Sequence, residues 1–357
     1  VGAFPPIPGA FDLYRQAVAD GRRYAYSRYR GHGEVREHVA RHVGEFTGRA
    51  TDPWRDIIVT PGTQGALFLA MSSLVEPGDK VAVVVPDYFA NSRIVTYLRA
   101  QAVPVILHYQ DPARAAELDL ADLADAFASG VKLLVLSNPN NPTGAVYTSE
   151  QIREIAVLAE KHGAFVVVDQ LYARLIYPGT SFTHLRTTGI ADERCLTLLG
   201  PSKTESLSGF RVGVAIGAPH VIERMEKLQA LVSLRAPGYS QAVLGCWFAE
   251  PPGWLDHRIE EHQSIRDDLY ARFHATDGFS VRLTEGGSYI FPQLPALRVP
   301  PAEFRNILRF DHGITVTPGG EFGPGHDRSI RLNFSQQRDK ALEAVSIICD
   351  LAVELAA

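Results

Sequence analysis

Cys195-Leu196-Thr197-Leu198-Leu199-Gly200-Pro201-Ser202-Lys203-Thr204-Glu205-Ser206-Leu207-Ser208-Gly209-Phe210-Arg211-Val212-Gly213-Val214-Ala215-Ile216 is the stretch on which the fold turns. An apolar run leads into a loop of small hydroxyl residues, and a second apolar run, 212–216, leads out. Such runs, without polar alternation, are what a strand covered on both faces requires. Upstream the pattern recurs at Ile57–Thr60, 81–85, 103–107, 133–136 and Phe165–Asp169. Helix-length amphipathic stretches fill several gaps. One, 64–75, is stopped by Glu76-Pro77-Gly78-Asp79. Another, Ser149–His162, opens with Thr148 and Gln151 in capping-box spacing and closes at Gly163. Strand and helix alternate from Asp56 to Ile216, so the expectation is α/β: a large domain with a mostly parallel seven-stranded sheet between helices.

Beyond about Gln241 the pattern changes. A charged helical stretch, 256–273, precedes short strands near 281–283 and 289–292, a helix at 301–312, a strand around 314–317, a Gly/Pro-rich loop at 318–325 and a final amphipathic helix at 340–357. This predicts a smaller α+β domain, with 28–255 forming the large domain and 1–27 together with 256–357 the small one. The 357 residues are enough for both. Hydrophobic residues at 46% and charged residues at 21% exclude a disordered chain. Lys+Arg 35 against Asp+Glu 40 gives −5 with no polybasic block, so no nucleic-acid partner is expected. Cys195, Cys246 and Cys349 stand far apart, which signals neither a disulfide framework nor a sulfur-rich zinc site; no metal is expected, and a cytoplasmic location fits. No apolar run approaches the roughly 18–20 residues that span a bilayer, so no membrane association is expected.

Open parallel sheets bind ligands beyond the carboxyl ends of their strands. After Ile57–Thr60, Pro61-Gly62-Thr63-Gln64-Gly65 opens a helix whose first N–H groups and partial positive charge can face an anion. The loop is neither a P-loop nor a G-x-G-x-x-G fingerprint, which disfavours a nucleotide site and a dehydrogenase. After 133–136, Ser137-Asn138-Pro139-Asn140-Asn141-Pro142-Thr143-Gly144 forms a rigid loop whose amide side chains can aim a donor. Asp169 ends an apolar strand with Tyr172 three residues on; its carboxylate needs a cap, an arginine or a protonated ring nitrogen as partner. Lys203 follows a buried strand among small hydroxyl residues, where a partly desolvated amine can form a Schiff base. Each feature alone also reads as an ordinary turn, a capped carboxylate or a loop lysine. Four of them at successive strand ends are the signal.

In this order, the anion loop, Asn-Pro-Thr-Gly, Asp-x-x-Tyr and Ser-Lys-x7-Arg-x-Gly resemble the class I/II aminotransferases of the fold-type I pyridoxal-phosphate enzymes, from about Tyr26 to Phe334. The resemblance implies an aspartate aminotransferase-like fold, pyridoxal 5'-phosphate as cofactor, and transfer of an amino group between an amino acid and a 2-oxo acid. Lys203 would hold the cofactor aldehyde as a Schiff base and then move the proton at the substrate Cα. Asp169 would keep the pyridine nitrogen protonated, while Asn141 and Tyr172 would hydrogen-bond the phenolic oxygen and Tyr88 would stack on the ring. Backbone at Thr63 and Gln64, with Ser202 and Arg211, would hold the phosphate. Arg331, in Ile330-Arg331-Leu332-Asn333-Phe334, would grip the substrate α-carboxylate beside Asn141; Arg328 fits the strand spacing worse. Tyr26, five residues before Gly31, matches the tyrosine that reaches the phosphate of the neighbouring subunit, which implies a homodimer with shared sites.

The sequence departs from the family pattern at Asn91, where an aromatic residue is common, and at Glu205, an acid two residues after the lysine. The same cofactor could also support β-elimination, racemisation, decarboxylation or oxidation, since the alignment of the breaking bond is not written in a sequence. A cofactor-binding regulator would need a DNA-binding module, and no basic helix-turn-helix pattern is present. Arg22, Arg23, Arg28 and Arg30 crowd around Tyr26 and could read a distal acidic group; a solvated or interfacial basic stretch is the preferred reading.

Overall fold

The computed structural model describes residues 4–21, 23–111 and 115–357. Eight strands form the large sheet: β1 Ile57–Thr60, β2 Lys80–Val85, β3 Gln101–His108, β4 Glu117–Leu118, β5 Leu133–Ser137, β6 Phe165–Asp169, β7 Cys195–Leu199 and β8 Gly213–Gly217. Their order across the sheet is β1-β8-β7-β6-β5-β2-β3-β4. The five strands β7, β6, β5, β2 and β3 run parallel. β8 is antiparallel to both of its neighbours, and β4 is antiparallel to β3. The expected count of seven is therefore corrected to eight. The extra strand is a two-residue edge piece with no apolar run to announce it.

Alternation within the strands shows why they read as continuous apolar runs. In β2, Val81 and Val83 pack with the helices Gly62–Leu74, Phe89–Tyr97 and Pro219–Val232 on one face. Ala82 and Val84 pack with Leu120–Ala128 and Ser149–His162 on the other. Burial on both faces removes the polar half of the usual strand pattern. The predicted cap of Ser149–His162 is present: the Thr148 hydroxyl accepts from Gln151 N at 3.3 Å, and Gly163 closes the helix at φ 67°.

Antiparallel pairing of β8 with both β1 and β7 leaves the carboxyl ends of β1, β7, β6, β5 and β2 at one edge of the sheet, where β8 begins. Every motif singled out above, apart from Tyr26 and Arg331, follows one of those ends or precedes β8.

A second sheet, in the order β10-β11-β9, contains β9 Tyr289–Ile290, β10 Thr317–Pro318 and β11 Ile330–Asn333. Its core is shared with the helices Trp254–His274, Pro301–Phe310 and Arg338–Glu354. Residues 281–283, expected as a strand, are not one; only a single bridge, Ser280 to Gln293, forms there. The strand expected at 314–317 is confined to Thr317–Pro318, and the following loop contains a 3-10 turn, Gly319–Phe322. At the start of the described chain, Phe4 packs with this second core, whereas Ile7 and Ala10 pack with Ile57, Val59 and Val214 of the large sheet.

Candidate active site

The edge where the strand ends meet encloses a cavity of about 230 Å³ lined by residues of both sheets. Thr63, Gln64, Tyr88, Asn141, Asp169, Tyr172, Ser202, Lys203, Arg211 and Arg331 all line it, so ten of the eleven expected site residues converge there. Three of them are the cations Lys203, Arg211 and Arg331, and the one carboxylate is Asp169. Among the described residues none of these three cations has a carboxylate partner within ion-pair distance. A surplus of unpaired positive charge in an enclosed space costs free energy unless an anion occupies it.

The anion corner is built by close approach. Gly62 opens the helix Gly62–Leu74 at φ 76°, and a Cβ there would lie 2.3 Å from Arg211 Nη2. A Cβ on Gly213 would lie 2.4 Å from the Thr63 backbone nitrogen. Only glycine lets these backbones and the guanidinium share the corner. No side chain caps the helix start, so its first N–H groups are free for an anion. Ser202 Oγ is buried without a partner. Arg211 takes a left-handed backbone at φ 55° and donates to Ser208 O at 2.8 Å, which fixes its fork.

The middle of the cavity holds Asp169, whose carboxylate accepts from Leu171 N at 3.0 Å. Burial pushes its carboxyl up to about 6, against the lowering effects of that hydrogen bond and of Lys203. Lys203 Nζ stands 5.9 Å from the Tyr172 ring centre. The Tyr172 hydroxyl is buried without a hydrogen-bond partner, and Tyr88 donates to Gln64 Oε1 at 2.9 Å. Beneath Tyr88, Asp87 is fully buried and accepts from Ser137 N at 2.9 Å, from Ser137 Oγ and from Tyr88 N at 2.5 Å. Burial nevertheless pushes its carboxyl up to about 7. This network ties the loop after β2 to the loop after β5, and Ser137 Oγ in turn accepts from Asn141 N at 3.1 Å.

Arg331 reaches in from the small sheet. Its Nη1 donates to Asn141 Oδ1 at 2.7 Å and its Nη2 to Thr317 Oγ1 at 3.1 Å, and its guanidinium lies against Tyr289 and Phe322, at 4.1 and 4.9 Å from the ring centres. Since Oδ1 of Asn141 is taken, its Nδ2 is the donor left for a ligand. Arg328 is exposed and lines nothing here.

Tyr26 is the one expected site residue outside the cavity. It is 76% exposed, and the guanidinium of Arg235 lies 4.8 Å from its ring centre. Nearby, Arg23 pairs with Glu34 at 3.0 Å and Arg30 with Glu226 at 2.6 Å, while Arg28 stands 5.9 Å from the Trp54 ring. Arg22 lies outside the described residues. Glu205 faces away from the cavity. It is buried against Arg174, which also binds Glu250 and stacks on Phe248 at 4.2 Å. Asn91 is buried and does not line the cavity.

Tyr289 is a cavity residue that the sequence reading passed over. The signal was the pair Gly286-Gly287 before it: a Cβ on Gly286 would lie 2.7 Å from Pro139, so the small-sheet chain touches the loop after β5. Among the described residues no helix is long and apolar enough to cross a membrane, and no group of three His, Cys, Asp or Glu could hold a metal.

Residues 4–348 match the family described as aminotransferase class I and II. The crystal structure of an aspartate aminotransferase from Rhodobacter sphaeroides 2.4.1 superposes with a TM-score of 0.97 at 51% identity, covering 99% of this chain and 91% of that one. Human kynurenine–oxoglutarate transaminase 1 is 30% identical over 282 residues, 74% of this chain and 67% of that protein. The putative aminotransferase YugH of Bacillus subtilis (strain 168) is 27% identical over 327 residues, covering 90% of this chain and 82% of that protein.

Proposed function

The chain belongs to the class I and II aminotransferases and depends on pyridoxal phosphate, and from that premise we propose how its own residues divide the work. The cavity fits the group: a corner that a Cβ would fill, an orphaned Ser202 hydroxyl and an uncapped helix start suit a phosphate. Asp169 suits a ring cation. When bound, pyridoxal phosphate supplies an aldehyde for amines and a ring that draws electrons from the substrate Cα.

Thr63 and Gln64 N–H, Ser202 Oγ and the Arg211 fork hold the phosphate. Asp169 keeps a proton on the ring nitrogen, because a cation opposite a carboxylate in low dielectric is strongly favoured. Asn141 Nδ2 and the unpartnered Tyr172 hydroxyl hold the phenolic oxygen, and Tyr88 covers the ring. Arg331 grips the substrate α-carboxylate, held in place by Asn141 and Thr317. The Lys203 amine would hold the aldehyde end of the cofactor, and its nitrogen would carry the proton at the substrate Cα.

Further readings belong to the same proposal. The chain divides into a large domain, 28–255, and a small one, 1–27 with 256–357, the N-terminal segment bridging them through Phe4 on one side and Ile7 on the other. A homodimer is supported by the position of Tyr26, exposed and outside its own cavity, where it can serve the phosphate of a second copy. Three buried free thiols support a cytoplasmic location. A dicarboxylic amino donor is supported by the 51% identity to the Rhodobacter enzyme. With Arg23 and Arg30 engaged in ion pairs, Arg28 is left, among the described residues, as the arginine of the basic stretch to read its distal acid.

One observation carries the reading: three unpaired cations face a single carboxylate in one cavity. The test is the visible absorption of the purified holoenzyme against a panel of amino acids. A donor should bleach the band and a 2-oxo acid should restore it, with aspartate and glutamate fastest. A band that no donor bleaches overturns the transamination roles; equal rates for neutral and acidic donors, unchanged in Arg28→Ala, remove the dicarboxylic assignment.

A further inference from the structure

Asp87 lies just past the end of β2, 2% exposed, and does not line the cavity. Every hydrogen-bond partner of its carboxylate is a donor. Oδ2 accepts from Ser137 N at 2.9 Å, while Oδ1 accepts from Tyr88 N at 2.5 Å and from the Ser137 hydroxyl. Two backbone donors would be enough to cap the turn after β2. The third, a side chain, gives the carboxylate a reach beyond its own loop.

Two routes lead from Asp87 to Arg331. A hydroxyl has one proton, and Asp87 takes it, so Ser137 Oγ must turn a lone pair to Asn141 N, 3.1 Å away. Asn141 Oδ1 then accepts from Arg331 Nη1 at 2.7 Å. Along the backbone, Asp87 N donates to Phe322 O at 3.3 Å, and the Phe322 ring centre lies 4.9 Å from the same guanidinium. The contacts close a circuit from Asp87 through Ser137, Asn141, Arg331 and Phe322 back to Asp87, crossing from the large sheet to the small one. Ser137 anchors it, because it ends β5 and stands opposite Asp169 in the ladder with β6.

We propose that Asp87 is a positioning residue for both grips of the site: through Ser137 it fixes Asn141 against the phenolic oxygen of the cofactor, and through Asn141 and Phe322 it fixes Arg331 against the substrate carboxylate. This rests on the roles given above to Asn141 and Arg331. It gives a function to a buried charge that touches neither cofactor nor substrate. It also couples the two grips, so that a change at Asp87 loosens both at once.

Ser137→Ala cuts the side-chain route and leaves Asp87 its two backbone donors. In the holoenzyme without substrate, the pH midpoint of the visible cofactor band should rise by about half a unit, because a phenolic oxygen with a loosened donor holds a shared proton more tightly. With substrate, the donor KM should rise about threefold. Asp87→Asn keeps the shape but offers one acceptor oxygen to three donors; it should raise the midpoint by about 1 unit and the KM roughly 10-fold. Should that variant not fold, Ser137→Ala decides alone. Asn141→Ala sets the ceiling: combined with Ser137→Ala, it should move the midpoint no further than it does by itself. A double variant whose shift equals the sum of the single shifts overturns the proposal. So does a lowered melting temperature in Ser137→Ala and Asp87→Asn with midpoint and KM unchanged, which would make the carboxylate a prop for its turn only. The premise fails separately. An unmoved midpoint in Asn141→Ala removes that residue from the phenolic oxygen, and an unmoved KM in Arg331→Lys removes the carboxylate grip. Effects in those two variants with none in Ser137→Ala or Asp87→Asn sink only the role of Asp87.

Discussion

On the large-sheet side of the cavity, Thr63, Asn141, Asp169 and Lys203 follow or end strands of four or five residues held in a ladder covered on both faces. On the opposite side, Tyr289, Thr317 and Arg331 stand on strands of two, two and four residues, and their side chains are held chiefly by one another, by Asn141 and by Phe322. The first wall is positioned by the strand ladder; on the second, Arg331 is positioned by side-chain contacts and Tyr289 by the backbone bonds of Gly286 and Gly287 to loops of the first. Replacing a residue of the first should delete a chemical function outright; replacing one of the second should detune the grip by degrees.

The most severe test of that contrast is Lys203→Ala. Amino transfer should drop by about 10⁴-fold or more in single-turnover absorbance measurements, with the melting transition retained; a residual rate near that of the unaltered enzyme would show that another amine serves. Asp169→Asn should cost roughly 10³-fold in kcat/KM, since a preorganised charge is lost without a change of shape.

Asp169 also makes a signed prediction in pH. Without cofactor its carboxyl is raised from 3.8 to about 6, so its contribution to folding is full below about pH 4 and is lost as pH rises through 6. Pairing with a ring cation reverses that shift. Thermal melts should therefore show a larger stabilisation by added cofactor at pH 7.5 than at pH 5. That excess should vanish in Asp169→Asn; an equal excess in the variant would remove the carboxylate from the ring nitrogen.

On the second wall the effects shrink. Arg331→Lys should raise the donor KM roughly 10- to 100-fold through loss of the planar fork, leaving the visible band of the resting enzyme in place. Thr317→Ala removes one hydrogen bond to Arg331, about 1 kcal/mol, and should raise the same KM about fivefold. If Thr317→Ala were as damaging as Asp169→Asn, the two walls would not differ in kind.

The same asymmetry explains what could be read from the chain alone. Buried strands such as Phe165–Asp169 announce themselves by composition, and residues just past their ends are the natural place to look for chemistry. That is why Asp169, Lys203 and the loop from Ser137 to Gly144 were legible. The edge strand Glu117–Leu118 has two residues and no apolar run, so the eighth strand was invisible. Residues 281–283 looked like a strand because valine and leucine flank Arg282, but Arg282 pairs with Glu285 and only one bridge forms nearby. Tyr289 depends on contacts between segments more than a hundred residues apart, Gly286 with Gly144 and Gly287 with Leu175, and no local pattern encodes such a meeting. Glu205 was visible as an oddity beside the lysine; its partners, Arg174 and Glu250, came only from the fold.

Gly62 and Gly213 leave no volume for even a methyl group beside Arg211 and Thr63. Selection thus has almost no route for adjusting this corner one side chain at a time, because every single-step replacement of either glycine adds atoms where none fit. Across descendants of this protein, adaptation to new amino donors should accumulate around Tyr289, Thr317 and Arg331, while the glycine corner stays frozen as an inherited fixture.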